Sequence, residues 1–166
     1  MRILAALLAA LTLAAAAAAA DGLVTRHSKE AGFAVAVPAA WIYRNATYPS
    51  DHSTELWIDP RDKASRLKVE VSACVGCVQP RDCIIGGTGC RPAPEAVLPA
   101  KVISQRKLDR WRVTYVARDP SSRYLVRALV TVLHDGSSIT GFALTRVWLP
   151  RAKAALAGRI LSSFRI

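Results

Sequence analysis

The stretch YLVRALVTVLHDGSSITGFALTRVW, residues 124–148, decides the class of fold. Tyr124 to His134 is almost wholly apolar and rich in valine and leucine, as a strand buried on both faces must be. Asp135-Gly136 follows directly, a dipeptide that closes tight β-hairpins because both residues tolerate positive φ. Ser138 to Trp148 then returns as a second strand. A strand that is apolar on both sides needs cover on both sides, so this hairpin belongs in the middle of a sheet with a helix or loop packed over it.

Upstream, Val102 to Leu108 and Trp111 to Ala117 read as two more strands joined at Asp109-Arg110, and Asp119-Pro120-Ser121-Ser122 turns the chain into Tyr124. Arg66 to Ala73 alternates cleanly. Leu67, Val69, Val71 and Ala73 point one way, while Arg66, Lys68, Glu70 and Ser72 form a wet face. Glu55 to Ile58 reads as a brief strand stopped by Asp59-Pro60, and Asn45 to Thr54, polar and containing Pro49, as a loop. Phe33 to Val37 is a short apolar strand ended by Pro38. Pro38 to Trp41 is a turn, and Trp41 to Arg44 resumes extended structure. Asp21 to Gly32 is a polar lead-in with room for an edge strand.

Downstream, Pro150 suits the first position of a helix. Ala152, Leu156, Ile160 and Phe164 recur every fourth residue, so one stripe can face the sheet while Arg151, Lys153 and Arg159 stay in water. The expectation is an α+β domain, a mainly antiparallel sheet with a C-terminal helix laid across it.

The opening Phe33-x-Val35-x-Val37-Pro38-x-x-Trp41 and the closing Leu156, Ile160, Ser163 and Phe164 resemble the PsbP-like and Mog1-like fold, a group of small proteins many of which are exported. The resemblance implies an α/β/α sandwich. It lies in structural residues, and the family's roles range from photosystem assembly to small-GTPase binding, so it implies a binding or assembly module rather than a particular chemistry.

The N-terminus supplies an address. Arg2, an apolar run from Ile3 to Leu13 broken only by Thr12, and an alanine tract ending Ala18-Ala19-Ala20 follow the order of a secretory signal peptide with a small-x-small cleavage site. An uncleaved anchor is the rival. The stretch just reaches the roughly 18 residues needed to cross a bilayer, but its second half is all alanine and no basic cluster follows. No cysteine sits at the cleavage point, which argues against a lipoprotein, and no twin-arginine pair precedes the run. The expected division is a signal peptide over 1–20 and one domain over 21–166, located in the periplasm or secreted, with no transmembrane span after cleavage.

Lysine and arginine number 23 against 12 acids, a formal charge of +11 that falls by one with the loss of Arg2. Such a surface favours an anionic envelope component or an acidic protein as partner. Nucleic acid is not expected, because an exported protein rarely meets it. Coding bias toward arginine and alanine would give the same composition with no partner at all. No basic run exceeds two residues, so the charge is dispersed.

All four cysteines, Cys74, Cys77, Cys83 and Cys90, fall in a Gly/Pro-rich loop over residues 74–99. An even number in an oxidising compartment reads as two disulfides, with three pairings open. We expect pairings that cross between Cys74-x-x-Cys77 and the later two, since the tight Cys74–Cys77 loop would be the most strained. Each would contribute about 2–3 kcal/mol by closing roughly ten residues. The staple would make Cys74 to Pro94 a candidate recognition surface. Zinc is a second reading, although Cys83-x6-Cys90 departs from the usual knuckle. A thiol-disulfide enzyme is a third, although no helix follows Cys77 to lower a thiol pKa and Pro80 intervenes.

Signatures of hydrolases, zincins, P-loops and dinucleotide folds are missing, so the expectation is a non-enzymatic protein with no cofactor and no metal. His27, His52 and His134 are scattered, with His134 read as a turn residue, and Glu55, Asp59 and Asp62 form a small acidic group. Trp41, Trp57, Trp111 and Trp148 suit the core. Arg110 and Arg112 flank Trp111, however, and Arg146 lies two residues before Trp148. Arg110, Trp111, Arg112 and Arg146 are therefore the candidate surface for an anionic ligand, since arginine stacks on indole and binds phosphate or carboxylate bidentately.

Overall fold

A computed structural model describes residues 22–47, 52–73, 101–118, 124–135 and 139–166, the side chains of 45–47, 52 and 73 excepted. The leader over 1–20, the cysteine loop and the turns at Asp119-Pro120 and Gly136 lie outside the described residues.

The chain opens with a two-stranded ribbon, β1 (Leu23–Ser28) against β2 (Phe33–Pro38). Its turn depends on Gly32, at φ +69°, and on Ser28, whose hydroxyl accepts the Ala31 N–H at 3.1 Å. Seven strands then form one antiparallel sheet. They are β3 (Ile42–Thr47), β4 (His52–Asp59), β5 (Asp62–Ala73), β6 (Lys101–Lys107), β7 (Arg112–Arg118), β8 (Tyr124–His134) and β9 (Ile139–Pro150), in the spatial order β3-β4-β5-β9-β8-β7-β6. The hairpin of residues 124–148 thus sits inside the sheet, with β9 as its central strand. After a single 3₁₀ turn, Arg151–Lys153, the helix α1 (Ala154–Ser163) packs on β9 and β2.

Strand alternation builds two apolar faces. Leu67 and Val69 of β5, Ala143, Val147 and Leu149 of β9, Leu129 of β8 and Trp57 of β4 join Phe33, Val35 and Val37 of the ribbon and Leu156, Ala157, Ile160, Leu161 and Phe164 of the C-terminal segment. On the opposite face Val113, Tyr115, Ala117, Val126, Ala128, Val130, Val132 and Trp148 form a second cluster. The ribbon is tied to the helix end by main-chain bonds in both directions between Ala34 and Arg165, each 2.9 Å. Ser163 adds a side-chain link, accepting the Ala36 N–H at 2.8 Å and donating to the Ile160 carbonyl at 2.6 Å.

Four expectations change. The segment Asn45 to Thr54 is not all loop. β3 runs to Thr47 and β4 starts at His52, because pairing of β4 with the regular β5, and of β3 with β4, extends both beyond what their polar composition suggests. β5 begins at Asp62 rather than Arg66, where the β4–β5 turn closes. Pro150 is not the first helical residue: at φ −52° and ψ 147° it is still extended, ending β9. The helical stripe accordingly loses Ala152, which is exposed, and gains Ala157 and Leu161.

Candidate functional site

The β6–β7 turn gathers three of the four predicted residues. Asp109 organises it, its carboxylate accepting the Trp111 N–H at 2.8 Å and the Arg112 Nε–H at 2.7 Å. The Leu108 N–H bonds the Arg112 carbonyl at 2.9 Å and closes the hairpin. Burial raises the Asp109 pKa, but the bonds from Arg112 and the Trp111 N–H outweigh it and hold the carboxyl below its ordinary value. The Trp111 carbonyl accepts the Val132 N–H at 2.8 Å, which pins the indole beside the end of β8. His134 stacks on that indole, with centroids 4.2 Å apart and planes 27° from parallel, and the Arg110 guanidinium lies 4.8 Å from the ring centroid. His134 is therefore the last residue of a strand and half of an aromatic stack rather than a plain turn residue. A depression of about 490 Å³ opens here, lined by Asp109, Trp111, Arg112, His134, Thr140 and Ile166 among others.

Arg146 stands apart. Register places it opposite Lys68 and Ala128, on the sheet face that carries Trp148. It pairs with Glu70, which also takes Lys68 at 2.6 Å. Arg66 and Arg146 both lie over the Trp148 ring, at 4.4 and 5.4 Å. Burial pushes the Glu70 carboxyl up, and hydrogen bonding from Lys68 with the Arg146 and Lys68 charges overcomes it, leaving the pKa below the ordinary value. The expected wet face of β5 is thus half-buried, Glu70 pairing along its own strand with Lys68 and across to β9 with Arg146.

The acidic group divides as well. Asp59 and Asp62 serve the β4–β5 turn, where Asp59 accepts the Arg61 N–H at 2.9 Å. Asp62 takes the Ser65 hydroxyl at 2.6 Å, the Tyr124 hydroxyl at 2.9 Å and the Ala64 N–H at 3.3 Å. The Ser65 bond leads in lowering the Asp62 pKa. These carboxylates fix a turn rather than face each other across a cleft. Glu55 instead lies on β4 at 5% exposure and lines a groove of about 580 Å³ with Arg26, His27, Lys29, Trp41, Tyr43 and Trp57. Tyr43 sits 5.5 Å from Trp57, a cross-strand neighbour. Sequence reading missed this groove. The available signal was the spacing of Tyr43 and Trp57 on adjoining strands, but the ribbon that forms the other wall gives no local cue. The side chain of His52 and all four cysteines fall outside the described residues. Among the described residues, no helix is long and apolar enough to cross a membrane.

Comparison with protein families and with curated proteins finds no match. Among solved structures, the solution structure of cyanobacterial PsbP (CyanoP) from Synechocystis sp. PCC 6803 is similar, with a TM-score of 0.58 over 88% of this chain and 93% of that one, at 14% identity. The chain therefore has a PsbP-like fold, in accord with the ends of the sequence that suggested it.

Proposed function

We propose that this chain is an exported, non-enzymatic binding or accessory protein that docks an anionic envelope component at the β6–β7 turn. The observation that carries the reading is Arg110 over Trp111, with Trp111 stacked on His134. A guanidinium lying 4.8 Å from an indole centroid is restricted in conformation before a phosphate or carboxylate arrives. The basic balance of the chain, 23 cations against 12 acids, would draw such a partner in from a distance. The leader over residues 1–20 accounts for how the protein reaches that partner. Disulfides among Cys74, Cys77, Cys83 and Cys90 would hold the 74–99 loop in an oxidising space.

The test is binding to phosphatidylglycerol vesicles, with neutral phosphatidylcholine vesicles and polyglutamate as the other arms. Phosphatidylglycerol should bind, and Arg110→Gln or Trp111→Ala should each weaken it about tenfold. Equal affinity of wild type and Arg110→Gln would remove the site, and tighter binding to polyglutamate would transfer it to an acidic protein. Intact mass after export, with a thiol alkylator present, should show a chain beginning at Asp21 with no alkylated cysteine.

A further inference from the structure

We propose that the slot between α1 and strands β6–β8 binds the anion of a single-chain fatty acid. α1 packs over β9 and β2 and leaves a slot beside it over the far half of the same sheet face. Register sets Arg106 of β6 directly opposite Thr114 of β7, and Arg127 of β8 directly opposite Val116. These side chains project toward the helix side, and the two arginines flank β7 from opposite edges. Val116 and Leu129 form an apolar floor and Leu161 an apolar wall. The slot holds about 310 Å³, at the small end of ligand pockets, which suits one hydrocarbon chain rather than two.

Charge selects the head group. Among the described residues, no carboxylate lines the slot and neither Arg106 nor Arg127 is in an ion pair. An apolar trough with two guanidiniums at its rim complements a carboxylate on an alkyl tail, the tail leaving water and the head taking charge-assisted hydrogen bonds.

Gly158 is an independent observation. It lies inside α1, where glycine weakens a helix relative to alanine. The protein's own packing does not require it: a Cβ there would meet nothing within 4 Å, and its φ is not positive. Its effect is to leave the slot open along the helix wall.

Titration calorimetry of the full chain with decanoate, decanol and acetate tests the assignment. Decanoate should saturate one site, decanol should bind about tenfold more weakly, and acetate should give no saturation. Gly158→Leu fills the slot while improving helix propensity, so decanoate affinity should fall at least about tenfold with the melting temperature held or raised. If Gly158→Leu fails to fold, the surface double variant Arg106→Gln/Arg127→Gln serves instead and should bring decanoate down to the affinity of decanol. The proposal is overturned if decanoate does not saturate, if decanol matches it, or if a folded variant binds decanoate as the wild type does.

Discussion

Two tryptophans in this molecule, Trp148 and Trp111, use the same arginine–indole chemistry to opposite ends. At Trp148, Arg66 and Arg146 cover an indole that is 8% exposed, and Arg146 and Glu70 retain only 12% and 15% side-chain exposure. At Trp111, Arg110 covers a half-buried indole, and the adjacent Arg112–Asp109 pair is 45% and 38% exposed. The first is a charged patch built into a sheet face. The second is an open corner. Burial and the depth of the carboxylate separate them, not the residue types.

The largest test of that contrast is truncation of the two indoles. Trp148→Ala should cost about 3–5 kcal/mol of unfolding free energy by urea denaturation, as for a buried aromatic, and Trp111→Ala less than half as much. Equal losses would mean the corner is as structural as the centre. Next comes Glu70→Gln, which removes the carboxylate charge that Arg146 and Lys68 share and should cost about 3 kcal/mol, while Asp109→Asn should cost at most about 1 kcal/mol. Adding Arg146→Met to Glu70→Gln should recover most of the loss, because the more deeply buried of the two cations goes with its carboxylate.

The smallest effect is the pH response. The Glu70 pKa lies below its ordinary value of 4.5, so its contribution is present above that pH and is lost as the pH falls through the folded-state value. The stability gap between wild type and Glu70→Gln, measured by urea melts, should therefore narrow from pH 7 to pH 3. A gap that stays constant would show that packing rather than charge holds Glu70 in place.

Much of the fold was legible because period and turn chemistry agree in the second half. Tyr124 to His134 and the Leu156–Ile160–Phe164 stripe each announce their element locally. The early strands do not. Asn45 to Thr54 carries loop composition, and its extended ends follow from the pairing of β3 with β4 and of β4 with β5, contacts that composition does not encode. The site was legible only as chemistry. Arg110, Trp111 and Arg112 are adjacent, yet alternation sends Trp111 toward the second cluster while Arg112 bonds Asp109. Arg146 belongs to another strand, and its partners Lys68 and Glu70 depend on a β5–β9 register that no local window contains. The groove under β1 was hidden for the same reason, since its two walls come from separate sheets.

The Ser163 link has a consequence for the order of events in folding. Its bond to Ala36 spans 127 residues, and Arg165 pairs with Ala34 just beyond it. The ribbon is made before the seven-stranded sheet and waits for Ser163 and Arg165 before its inner strand is covered. Contacts of such long sequence separation close late, after the loop entropy of everything between has been overcome. A chain emerging from its N-terminal side therefore cannot fasten this latch until Ser163 and Arg165 are free to reach β2, so the inner strand of the ribbon is covered only after the whole sheet has been made.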